Sequence, residues 1–423
     1  MIKSVDHNNL LVPIPLDALR ISSASLLLYG LPKRIISISS MPGAVAVSKM
    51  SLPTAVWTQR RGGNTLDIKR FILVGTGSFG MTWGRYILPK IAPFARCVAA
   101  VDIDPTAIGN FKALGLLPDE KHYTDLRTAL DENPCDFLVV VVMPNARLPI
   151  IDLVIEFGVD VLCEKPAAGN MEDYVTIYRK MKAAGRKIAV TMSHRYEREK
   201  QTVEQMVKSG AYGKLNFIYG RLSMQRSKTR NLRYEGADPA MLTPYNVARR
   251  GLSEGVIHEL DTFRGIAGSN AAKVFCQYWQ FDPQDGSDTT PSTSLTHVTM
   301  ENGVRCMVEH SNAYAVTTNG WSNEHFRAEC ANATIIADNK KVTLLSGMGQ
   351  PFPERAEMPL KAGEYFDHAL LTHDFCRWLN GGPEPQTSLE DNMQCAALTF
   401  AALESAFSGK EVDVQSFLKE HMK

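Results

Sequence analysis

Lys69-Arg-Phe-Ile-Leu-Val-Gly75-Thr-Gly77-Ser-Phe-Gly80 decides how this chain is read. Its apolar run ends at a glycine, as a short strand buried on both faces does. The glycines that follow stand in the order G-x-G-x-x-G. The first permits a tight turn, the second lets backbone approach a ligand, and the third lets a helix pack close to the strand. Residues 82–94 read as that helix, cut short by Pro89 and Pro93.

Strand and helix alternate from there. Residues 96–102 form a second strand, and 105–114 a helix with proline in its first turn and Gly115 after its end. Residues 125–132 suit a short helix capped by Thr124 or Asp125. The β-branched run 137–142 is a buried strand, 149–157 a helix closed by Gly158, and 160–163 another strand. Short elements in this alternation require crossover connections, hence a parallel sheet with helices on both faces.

In such a sheet Gly75, Gly77, Ser78, Phe79 and Gly80 make the loop where a pyrophosphate meets a helix N-terminus. Asp102 closes the second strand, 22 residues beyond Gly80. A carboxylate there accepts the ribose hydroxyls of NAD and repels the 2′-phosphate of NADP. NAD is therefore the expected cofactor, with NADP the alternative should Asp102 point away.

The rhythm changes after residue 192. A helical stretch, 197–208, precedes strand-like segments at 215–222, 273–281, 294–300, 304–310, 327–330, 334–337 and 342–345. Asn302-Gly303 between two of them signals a hairpin. Helices at 365–379 and 389–407 close the chain, the second opened by Thr387-x-x-Glu390 and Ser388-x-x-Asp391 capping boxes. The expected fold is α/β: an N-terminal Rossmann doubly wound parallel sheet, residues 67–192, then an α+β domain on an open, largely antiparallel sheet, residues 193–423.

Composition narrows the function. The chain has 423 residues, 44% hydrophobic and 22% charged, with 46 Lys and Arg against 45 Asp and Glu. That balance offers nothing to nucleic acid or an anionic membrane, and no apolar run reaches the roughly 18–20 residues of a membrane span. Eight scattered cysteines without a C-x-x-C pair suit a reducing compartment and propose no metal site. A cytoplasmic protein is expected. Residues 1–66 stand apart, Ser-rich, with seven Lys and Arg against two acids. They read as a disordered leader or as an organelle-targeting segment.

Two constellations carry chemistry. Cys163-Glu164-Lys165-Pro166 follows directly on the strand at 160–163, whose carboxyl end faces the ligand crevice, so the Lys165 ammonium can reach substrate or nicotinamide. In Glu254-Gly-Val-Ile-His258-Glu-Leu-Asp261, read as a helix through Arg264, Glu254, His258 and Asp261 share one face. A carboxylate one turn from an imidazole fixes its tautomer and raises its basicity, and histidine is the side chain best placed to exchange a proton near neutral pH. The other histidines, among them His310 and His368, read as structural.

Together these features resemble the Gfo/Idh/MocA oxidoreductases, named for glucose–fructose oxidoreductase, inositol dehydrogenase and a rhizopine-catabolism protein. The likeness runs from about residue 69 to 412. It includes Gly75–Gly80, Pro144-Asn145, Cys-Glu-Lys-Pro at 163–166, Ser193-His-Arg-Tyr196, Gly255-x-x-His258-x-x-Asp261 and Pro385-x-Thr-Ser-Leu-Glu-Asp391. The resemblance implies reversible hydride transfer between a nicotinamide and a carbinol or carbonyl carbon of a sugar, polyol, cyclitol or sugar-acid-like substrate. By it His258 takes the hydroxyl proton with Glu254 behind it, and Lys165 stabilises the reacting oxygen. Pro144, Asn145 and Glu164 join the cofactor site, while Arg195, Asp261 and Arg249 are candidate substrate ligands. Glu254 stands where the family has Asp, Arg249-Arg250-Gly251 replaces paired glycines, and the histidine usual after Pro-Asn is missing, with Leu148 near its place.

Seven cations between Arg221 and Arg250, against two acids, read as a solvated loop or subunit contact or, in one or two of the arginines, as ligands of an anionic group on the substrate. The rival readings are a reductase of an imine, enone or dihydrodiol-type compound and a non-catalytic nicotinamide sensor. A homodimer or homotetramer through the C-terminal sheet is expected, because a bare apolar sheet face is a liability.

Overall fold

The computed structural model describes residues 67–225, 244–281 and 292–423, all within one compact unit, Asn64–Lys423. The leader and the charged residues Arg226, Lys228, Arg230, Arg233, Glu235 and Asp238 lie outside the described residues.

The first half runs β1 (Lys69–Val74), α1 (Ser78–Thr82), a π-helical turn (Trp83–Ile87), α2 (Leu88–Ile91), β2 (Ala95–Val101), α3 (Pro105–Lys112), β3 (His122–Tyr123) and α4 (Leu126–Glu132). It continues with β4 (Phe137–Val140), α5 (Arg147–Phe157), β5 (Asp160–Cys163), α6 (Met171–Ala183) and β6 (Ile188–Val190). The six strands pair in parallel in the order β3-β2-β1-β4-β5-β6. The strand order switches sides between β1 and β4, and the carboxyl ends of those two parallel strands open the ligand crevice.

The first helix differs from its expected form. It starts at Ser78, directly after Gly77, rather than at residue 82. It also passes Pro89, because the wide turn Trp83–Ile87 lies just ahead and relieves the clash a proline makes with the carbonyl four residues back.

The second half runs α7 (Arg198–Lys208), β7 (Leu215–Gln225), α8 (Pro244–Gly251), a π-helical turn (Leu252–Val256), α9 (Ile257–Ala267), β8 (Ala271–Gln280), β9 (Ser292–Met300), β10 (Arg305–Tyr314) and β11 (His325–Cys330). Then follow β12 (Thr334–Asp338), β13 (Lys341–Ser346), β14 (Glu354–Met358), α10 (Asp367–Leu379), α11 (Leu389–Ser408), β15 (Val412–Asp413) and α12 (Val414–His421). Nine strands form an open sheet, β14-β13-β12-β11-β7-β10-β9-β8-β15, antiparallel except where β7 meets β10. Gly303, at φ 88°, closes the expected β9–β10 hairpin. The chain before α11 is capped by Ser388, whose hydroxyl accepts from Asp391 N–H.

Burial alternates along the central strands. Ile218, Val274, Val298 and Val308 are buried on one face, while Tyr219, Phe275, Leu295 and Met307 on the other are only half-buried. Two later segments return to the first sheet. On α10, Phe375 packs edge-on against Phe137 (5.3 Å), which stacks on Phe71 (5.1 Å). Beside β6, Val190 N–H donates to Thr387 O at 2.8 Å.

Candidate active site

The glycines of the first loop each answer a different constraint. Gly75 sits at φ +98° with Val141 backbone 2.8 Å from where a Cβ would lie. At Gly80 a Cβ would fall 2.2 Å from Gly75 O, so helix and strand touch there. Gly77 faces open space, room that a phosphate can fill. Asp102 lies at the neighbouring strand end, its Oδ2 accepting from Thr76 N–H (2.6 Å) and the Thr76 hydroxyl (3.1 Å), and its Oδ1 from Asp104 N–H (3.0 Å). These bonds fix the carboxylate and leave Oδ1 the freer oxygen.

Glu164 is buried deeper in the crevice. Its Oε1 accepts from Trp83 Nε1 at 3.1 Å and lies 3.5 Å from His368 Nε2. Burial works to raise this carboxyl, but the His368 imidazole, with Thr191 and Trp83, brings it below its ordinary value. His368, read from sequence as structural, therefore reaches the crevice from α10, with Phe79 and Trp83 against its ring. Arg147 was not foreseen either. Buried at the start of α5, its guanidinium donates to Val142 O at 2.7 Å and to the carbonyls of Glu164 and Pro166. It thus holds the turn that presents Lys165.

Lys165 and His258 meet around one indole. Lys165 Nζ donates to the carbonyl of Glu254 at 2.6 Å and lies 5.3 Å from the Trp321 ring centroid. The His258 ring meets Trp321 edge to face at 5.2 Å. His194, from the short 3₁₀ turn Ser193–Tyr196, stacks on His258 at 3.8 Å with 19° between planes. Its Nδ1 is 3.1 Å from Glu324. Burial, then the charges of His194, Lys165, Lys200 and His368, push His258 well below the usual histidine range. Burial likewise lowers Lys165, against the pull of Glu164 and Glu254. Among the described residues neither His258 ring nitrogen has a hydrogen-bond partner, which is uncommon for a buried polar atom. His194, Glu197 and Glu324 bring ligand-type atoms within 4.8 Å of one another. Their cation is Lys200, 2.9 Å from Glu197 and 2.6 Å from Glu324.

Glu254 departs from its expected place. The helix is interrupted by the π-helical turn Leu252–Val256, which carries an extra residue per turn and shifts the phase between positions 254 and 258. The Glu254 carboxylate is exposed, 4.0 Å from Arg250, and acts on Lys165 only through its charge, while its carbonyl bonds the ammonium directly. Arg195 and Asp261 bind each other at 2.8 Å, and Arg264 and Asp391 complete a network around them. Asp261 is fully buried there, which places both residues in the scaffold under α9. Arg249 is half-buried and donates to Gly169 O at 3.2 Å, beside Pro144 on the crevice rim; Asn145 is exposed.

The sequence model of the oxidoreductase family Gfo/Idh/MocA, with its NAD-binding Rossmann fold, matches residues 69–192. An uncharacterised protein of Sinorhizobium fredii, y4oX, is 30% identical over 366 residues, spanning 82% of this chain and 96% of that protein. The chain belongs to the Gfo/Idh/MocA oxidoreductase family. A D-apiose dehydrogenase of Rhizobium rhizogenes is 24% identical over 82% of this chain and 97% of its own length. The same fold recurs in an Agrobacterium radiobacter oxidoreductase crystallised with NAD+, L-tartaric acid and magnesium, with TM-score 0.66, 18% identity, and coverage of 82% and 99%.

Membership makes the chain an oxidoreductase with an NAD-binding Rossmann fold, which sets the sensor reading aside. The dinucleotide fits the crevice: Gly77 leaves it room, Gly75 and Gly80 shape the turn, and Asp102 stands fixed at the ribose end. Where the family has a histidine after Pro-Asn, this chain has Leu148. Arg147, next to Leu148, grips the backbone around Lys165. No helix among the described residues is long and apolar enough to cross a membrane.

Proposed function

We propose that this chain oxidises a secondary hydroxyl of a sugar or polyol with NAD, through Lys165 and His258. The cofactor supplies the hydride acceptor at its nicotinamide ring. His258, neutral in its buried setting, takes the hydroxyl proton as the carbinol carbon loses hydride, and the C–O bond becomes C=O. Lys165 donates to the same oxygen and stabilises the charge that develops on it. Glu164 and Arg147 hold Lys165 in place, and Glu254 contributes its carbonyl. The convergence of Lys165 and His258 on Trp321 is the observation that carries this reading.

The two roles separate in kinetics. Lys165→Ala and His258→Asn should each reduce turnover by at least ~100-fold while NAD affinity stays within about twofold, the loss typical of an acid–base group. Turnover near that of the native chain in either variant removes the role.

The Asp102 carboxylate supports the choice of NAD over NADP, and the likeness to D-apiose dehydrogenase supports a sugar as substrate. Arg249 at the rim is the candidate for an anionic substituent. Equal turnover of neutral and acidic sugars by the native chain and Arg249→Ala would exclude it. The half-buried sheet face with Tyr219, Phe275, Leu295 and Met307 is proposed to pair with a second copy. Light scattering that finds a monomer at micromolar concentration would contradict this.

A further inference from the structure

Trp321 is the largest side chain at the catalytic pair, and the hydride chemistry gives it no task. Its neighbours in the loop between β10 and β11 are buried: Asn319 is 2% exposed and Glu324 3%, yet the indole between them is 46% exposed. The loop does not place it there loosely. Asn319 Oδ1 accepts from Arg221 Nη2 at 2.6 Å, and its Nδ2 donates to Asp338 at 2.8 Å. Its backbone bridges to Ser223. Ser322 adopts φ 58°, a left-handed conformation costly for a side chain other than glycine. That conformation is secured by Glu324, which accepts from Ser322 N–H at 3.0 Å and also holds Lys200 and His194. A strained, doubly anchored turn keeps an apolar ring open to solvent beside Lys165 and His258. Exposed apolar surface held in that way marks a contact site.

We propose that Trp321 is a stacking wall for the substrate, the residue by which this site favours a closed ring over an open-chain polyol. This rests on the proposed Lys165–His258 site. The face of an indole is electron-rich, and the aliphatic C–H bonds on one face of a ring polyol are weakly positive, so the two are complementary. A ring offers several such hydrogens in one plane. An open-chain polyol does so only after freezing several torsions, at an entropic cost. The Lys165 ammonium, 5.3 Å from the ring centroid, polarises the same indole and ties the wall to the reacting oxygen.

The test compares Trp321→Ala and Trp321→Phe on matched panels of ring and open-chain polyols, reading kcat and KM separately, with NADH affinity measured by fluorescence. The expected result for Trp321→Ala is a rise in KM for ring substrates about tenfold larger than for open-chain ones. Trp321→Phe should keep most of the ring preference, and NADH affinity should stay within about twofold. Equal losses on both panels, or no change in KM, overturns the wall. Loss of ring preference in Trp321→Ala supports it. If instead Lys165→Ala keeps full turnover, the redox site itself fails, a result separate from any outcome at Trp321.

Discussion

At the scale of single residues, the chemistry turns on keeping His258 uncharged. Burial first, then the electrostatic influence of His194 and Lys165, lowers its pKa well below the ordinary histidine value, which favours the neutral, proton-accepting ring. The acid limb of kcat/KM for alcohol oxidation should therefore lie below the usual histidine value near 6.5. His194→Phe keeps a ring in the stack and removes one like charge, so that limb should move to higher pH. A pH profile with an unmoved limb would leave His194 a packing residue only. Arg147→Met strips the donors from the Glu164 and Pro166 carbonyls. Each buried group so orphaned costs about 1–3 kcal/mol, and kcat should fall as Lys165 loses its fixed turn; an unchanged kcat with lowered stability would limit Arg147 to folding. Lys165 and His258 were legible because strand ends and short motifs locate them. Arg147, His368 and Trp321 were not, since their partners lie in distant segments and nothing in their own neighbourhoods announces the meeting.

At the scale of elements, alternation made both sheets readable, because buried strands must be apolar and their turns must carry glycine. The π-helical turns were invisible. Residues 254–264 read as one regular helix and α8 ahead of them was not foreseen, and one wide turn at Leu252–Val256 rotates Glu254 away from His258 without marking the sequence pattern. Gly255 shows what the turn demands: a Cβ there would lie 2.7 Å from the His310 ring, which is paired with Glu259. Gly255→Ala is expected to cost roughly 1–3 kcal/mol through overpacking, read as a lower denaturant midpoint. Turnover should drop further than NAD affinity, since the disturbance lies on the His258 side. A variant as stable and active as the native chain would show that His310 yields freely. The edge strand β14 and the short strands β3 and β15 also escaped notice, being too short or too polar to register as periodic.

At the scale of the whole molecule, sequence order and spatial order part company. The Rossmann sheet is written within residues 69–190, yet one of its faces is covered by α10 through Leu371, Phe375 and Cys376, all fully buried. Phe375→Ala should therefore destabilise the nucleotide half by about 3–5 kcal/mol. The check is chemical denaturation followed by Trp83 fluorescence in a chain whose other tryptophans are replaced. A loss under 1 kcal/mol would show that α10 merely rests on the sheet. The arrangement also bears on how the chain is made. A ribosome that has released β6 has not yet synthesised the helix that shields Phe71 and Phe137, so the nascent nucleotide half emerges with an oily flank and waits for Asp367–Leu379 to seal it.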